Sequence, residues 1–327
     1  MLRQDLARLG AWARGHLAAS PWSPGVGLGR SALALGTAGT LISTPARVLL
    51  SPLANGLHPP ACTGLGRLGL WCVLPQAQHE VARWLSVAVL LVVASGWRPR
   101  LTGIPHWWVS WSLILAATVQ DGGDQVTAVL ALLLIPVALT DPRKWHWRRA
   151  DRDSSFTATT IASTALFLVR LQVAIIYLDA GLAKLGVPQW ADGTAMYYWF
   201  HSVLFAPPPW LSPITTRVTD SPLGVTMLTW GAIVLEVALG LALLFPRRAQ
   251  VTLLSLGLLL HDCIALTMGL ISFDFAMSAA LVLYLLPPDW EFRRPRWLPR
   301  RARPPAESVA DYPPGLTQGQ VAGIRTG

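Results

Sequence analysis

Apolar residues in this chain cluster in long runs, without the alternation of a strand or the narrow stripe of a soluble amphipathic helix. The runs lie near 31–50, 81–97, 104–120, 125–140, 160–183, 223–246, 249–270 and 273–287. A bilayer core of ~30 Å is crossed by ~20 apolar helical residues, and only helices or closed barrels satisfy their backbone there. The pattern therefore predicts an all-α, polytopic integral membrane bundle of about eight transmembrane helices. Residues 31–290 form the transmembrane domain. Residues 1–30 read as a loosely ordered leader with an amphipathic piece at Leu6–Leu17, and 291–327, rich in Pro and Arg, as a flexible tail. Arg3, Arg8 and Arg14 precede polar, Pro/Gly-rich sequence, so a cleaved signal peptide is not expected. The longest segment between spans, 184–222, carries Pro207, Pro208, Pro209, Trp210 and Pro213, and is expected to be an ordered cap with a short helix.

Composition fits this picture. The 327 residues are 53% hydrophobic and 13% charged, with 16 tryptophans, many near the ends of apolar runs where interfacial anchors belong. The net charge of +9 would suit nucleic acid, but its distribution excludes that partner. With the eight runs as crossings, 20 of the 26 basic residues fall on one side. The positive-inside rule makes that side cytoplasmic, with both termini there, in a plasma (inner) membrane. Cys62 and Cys72 then share an outer loop, where they are either bridged or free. No Cys/His spacing resembles a metal site, so no metal is expected.

Ionisable groups inside spans are costly and usually pair. At ~1.5 Å per residue, Arg170 and Glu236 come out ~15 Å from the inner ends of their spans, and His261 with Asp262 ~18–20 Å. The structural reading is an Arg170–Glu236 ion pair with His261 bonded nearby. The functional reading is a polar site or proton relay within the membrane. Arg170, Tyr177 and Lys184 recur at intervals of seven, on one helix face, with Asp179 off that face. Lys184 and Lys144 are the only lysines, all other basic residues being arginine. An amine, unlike a guanidinium, can lose its proton on desolvation and act as a base; at a helix end it can also simply snorkel.

The segment AGLAKL followed by Trp190, Asp192, Gly193, Ala195, Met196, Tyr197 and Tyr198 resembles the horizontally transferred transmembrane (HTTM) domain family, which includes the membrane part of vitamin K-dependent gamma-carboxylases. The stretch HDCIALTMGLISFDFAM, His261 to Met277, is similar to the family's histidine-led helix and aromatic turn. The resemblance covers roughly 80–290. DGGDQV at Asp121–Val126 and LTDPRKWHW at Leu139–Trp147 look most like the branch holding B components of a sporulation-delaying toxin system. That branch implies a membrane protein assisting maturation or export of a secreted peptide toxin or bacteriocin, with a peptide precursor and an accessory maturation protein as partners. The carboxylase likeness implies a quinol-dependent enzyme. Lys184 would be the base acting on a reduced quinone (vitamin K hydroquinone or menaquinol), with His261 and Glu236 as further catalytic candidates. Asp121, Asp124, Tyr177, Trp190, Asp192, Tyr197 and Tyr198 are the candidate substrate-binding residues. A transporter is the third reading, motivated by Arg170, Glu236 and His261.

Overall fold

Among the described residues, a helix or a pair of consecutive helices coincides with each of the apolar runs. In a computed structural model of the chain, the described residues are 20–52, 60, 62–119, 121–148, 155–287 and 290. In chain order the helices are α1 (Pro24–Ser43), α2 (Ala46–Leu49), α3 (Leu70–Val73), α4 (His79–Ser95), α5 (Pro99–Ala116), α6 (Gly122–Leu133) and α7 (Ile135–Thr140). They continue as α8 (Phe156–Lys184), α9 (Pro188–Ala191), α10 (Ala195–Phe200), α11 (Ser212–Thr219), α12 (Pro222–Gly240), α13 (Arg247–Met268) and α14 (Ile271–Leu285). No strand occurs among the described residues, apart from one isolated bridge between Trp97 and Trp145. The leader's Leu6–Leu17 piece and the tail from residue 291 lie outside the described residues.

Local chemistry sets the ends. Ser23 accepts a hydrogen bond from the Val26 amide and Pro24 follows it, so α1 starts at residue 24, inside the expected leader. Asp121 caps α6 by accepting from the Asp124 amide, and Ser221 with Pro222 starts α12 in the same way. α4 ends on Gly96 and α13 on Gly269, both left-handed, a conformation that only glycine adopts freely.

Among the described residues, four helical stretches are long and apolar enough to cross a membrane by themselves: Gln76–Ser95, Phe156–Lys184, Pro222–Gly240 and Arg247–Met268. Outward-facing leucines, isoleucines and phenylalanines cover the bundle, among them Leu101, Phe167 and Leu259. So large an apolar exterior belongs against lipid. The chain is thus an all-helical membrane protein. Inside, one core joins α1 to α6–α8 and α12–α14 around Leu33, Val169, Tyr177, Leu281 and Tyr284. A second joins α1 to α3–α5 around Leu41, Trp71 and Leu90. Backbones approach closely at small residues. Gly25, Gly29 and Gly36 on α1 lie against Leu286, Leu283 and Phe275, and Gly240 on α12 lies against Leu178.

Candidate functional site

Three helices bring ionisable side chains together near the C-terminal end of α8. Lys184 closes that helix, and its Nζ donates to Glu236 Oε2 on α12 at 2.6 Å and to the Ala180 carbonyl at 3.1 Å. The ammonium also sits 5.2 Å from the centre of the Trp190 ring, a cation–π distance. Both members of the pair are largely buried, with side chains 21% and 12% exposed. Two turns lower on α8, Tyr177 meets His261 of α13, with 2.8 Å between the phenol oxygen and Nε2. His261 Nδ1 has no hydrogen-bond partner among the described residues. If Tyr177 donates to Nε2, only the Nδ1–H is left unpaired. The opposite assignment orphans both the phenol proton and the Nδ1 lone pair, so the first is favoured. The site then offers one buried N–H donor two helical turns below a paired ammonium and carboxylate.

The remaining expected residues divide into two groups. Asp121 accepts from Ser272 Oγ and the Asp124 amide, which ties the start of α6 to the start of α14. Asp124 is buried beside it. They connect to the cluster through Phe273, whose ring lies 5.6 Å from that of His261. Asp192, Tyr197 and Tyr198 belong to the cap. Asp192 accepts from the Thr194 amide and hydroxyl, which shapes the turn at left-handed Gly193. Tyr197 stacks on His201 and stands edge-on to Tyr198.

The expected Arg170–Glu236 ion pair does not form. α12 ends at Gly240 beside Leu178 instead of running to 246, so Glu236 lies level with Lys184. Arg170, 14 residues earlier on α8, is ~21 Å from that level, and its Nε has no partner among the described residues. Cys62 and Cys72 are joined as a disulfide.

The HTTM domain matches residues 124–290, half of the chain, and takes in Lys184, Glu236 and His261. The chain belongs to the HTTM family. This HTTM protein is 36% identical over 273 residues to "Uncharacterized protein YitO" of Bacillus subtilis (strain 168), covering 83% of this chain and 87% of that protein. It is 32% identical over 271 residues to "Sporulation-delaying protein SdpB" of the same organism, covering 82% and 83%. No solved structure matches it.

This HTTM protein also holds a second buried polar cluster that its sequence did not disclose. Arg30 donates to Thr102 Oγ1 at 2.7 Å, and Arg143 pairs with Asp141 at 2.7 Å. Ser31 gives its proton to the Ala94 carbonyl, so its contact with His146 makes Nε2 the donor. His146 lies in the connection after α7, and burial with the nearby Arg30 and Arg143 lowers its pKa to about 3. The available signals were Arg30 interrupting an apolar run and the dense polar stretch Asp141–Trp147. Neither indicates which helices meet. Ser272 and Phe273 were likewise missed, since a serine beside an aromatic turn carries no spacing signal.

Proposed function

We propose that this HTTM protein acts in the plasma membrane in maturation or export of a secreted peptide toxin, and engages the precursor at the Lys184–Glu236 and Tyr177–His261 pairs. The similarity to "Sporulation-delaying protein SdpB" over 82% of the chain carries this reading, together with the single HTTM domain that takes in both pairs. The geometry is in keeping with binding. Lys184 is occupied by a carboxylate, a carbonyl and an aromatic face, which suits a fixed charge that positions a polar ligand group. An eight-crossing topology with both termini cytoplasmic accompanies the proposal, supported by the helix at each apolar run and the one-sided arginines. Deleting the gene in its host and following secreted peptides by mass spectrometry tests the role. Loss of a mature peptide is expected; an unchanged set of secreted peptides overturns it.

The unpaired His261 Nδ1 favours a second reading, a quinol-linked enzyme, because a buried, unpartnered donor suits a quinone oxygen. Lys184 would have to pass its proton to Glu236 before acting as base. Organic extraction of the purified protein, with menaquinone identified by mass, distinguishes this reading; a quinone-free extract counts against it.

A further inference from the structure

The axial extents of α8 and α12 conflict with a simple crossing. Leu178 lies against Gly240, Gly181 against Val237, and Lys184 bonds Glu236, so the helices are antiparallel and pack through their C-terminal ends. α12 then runs on ~18 Å past the Lys184 end, to Pro222. Together the two helices extend ~60 Å, twice the ~30 Å hydrocarbon core. One end of this rod must leave the core. The first half of α12, with the cap packed on it through the Met196 amide and Thr229 Oγ1, forms one overhang, and this overhang is apolar.

We propose that residues 185–221 and the first half of α12 rest in the headgroup and upper acyl region of the leaflet on the Lys184 side, with phospholipid covering their exposed apolar side chains. Residues 193–216 contain no Asp, Glu, Lys or Arg. Val203 is 100% exposed, Leu204 81%, and Trp210, Leu223 and Met227 66% each, which would be an unusual apolar surface to leave in water. The composition suits an interface, with Tyr198 and Trp210 facing outward as headgroup-level anchors. The backbone also suits it. Amides of His201, Ala206 and Ser212 are bonded within the cap, and Pro207, Pro208 and Pro209 have no amide proton to satisfy. Asp179 and Asp262, exposed near the level of the buried pairs, limit the depth: they keep that level close to the headgroups and hold the cap above the membrane centre. The Lys184–Glu236 pair then lies under a lipid-bathed lid, and a ligand reaches it past lipid-facing side chains. This placement holds whether or not the protein handles a peptide toxin.

Nitroxide labelling tests it. Cys62 and Cys72 are bridged, so Cys263→Ser leaves no free cysteine among the described residues. Val203→Cys, Leu204→Cys and Leu223→Cys then place single labels on full-length protein in phosphatidylcholine/phosphatidylglycerol nanodiscs. Leu256→Cys on α13 serves as the lipid reference. The expected result is an oxygen-to-nickel-chelate accessibility ratio at 203, 204 and 223 shifted from the aqueous value toward, but stopping short of, the value at the deeper position 256. Ratios dominated by the water-soluble nickel chelate overturn the proposal, and would make the overhang a docking surface for a water-borne partner. Because these side chains are exposed, the substitutions leave the packed core intact, and thermal melts of the labelled proteins verify this.

Discussion

At the residue scale the Lys184–Glu236 pair makes a quantitative prediction. Lys184→Ala leaves the largely buried Glu236 without its partner, at a cost of about 3 kcal/mol. Lys184→Met combined with Glu236→Gln removes both charges, and is expected to melt above either single variant in detergent; additive losses would show that the groups are uncoupled. His146 makes a pH prediction. Its folded pKa of about 3 lies below the ordinary histidine value of 6.5. The unfolded chain therefore binds a proton that the folded chain refuses. Its contribution is fully present above pH 6.5 and declines as pH falls toward 3. Thermal melts at pH 7.5 and 5 should show this loss, and His146→Gln should reduce the difference; equal differences in both proteins would contradict the assignment. Lys184, Glu236, His261 and Tyr177 were each recognisable in sequence as costly or unusual groups. Their pairing was not, because counting down from residue 246 misplaced Glu236 by more than a helical turn.

At the element scale, hydrophobic runs located every principal helix, since long apolar stretches must be helical in lipid. They were less informative about ends. Ser23 and Pro24 start α1 early, Leu134 and Pro136 mark the break between α6 and α7, and α12 ends at Gly240, short of its apolar run. The α8–α12 contact depends on close backbone approach at Gly240, where a side chain would collide with Leu178. Gly240→Val is expected to cost about 1–3 kcal/mol through overpacking and to loosen the Lys184–Glu236 pair. Gly231, on the same helix, faces open space. Gly231→Ala should stabilise by about 0.5–1 kcal/mol, as helix propensity dictates. Similar melting temperatures for the two variants would argue against tight packing at Gly240.

At the scale of the whole molecule, the HTTM family places the chain in the membrane, and one end of the bundle gathers its paired charges, an orphan histidine donor and an aromatic cap. The second polar cluster at Arg30 and Arg143 lies between other elements, with its groups spread over more than a hundred residues of sequence, so only the folded chain reveals it. The most direct test restores the deleted gene in its host with either the native protein or the Lys184→Met/Glu236→Gln variant, at matched membrane levels, and quantifies secreted peptides by mass spectrometry. The native protein is expected to restore a mature peptide and the variant is not. Secretion of the same mature peptide without the gene, or in full with the variant, would contradict the proposed role.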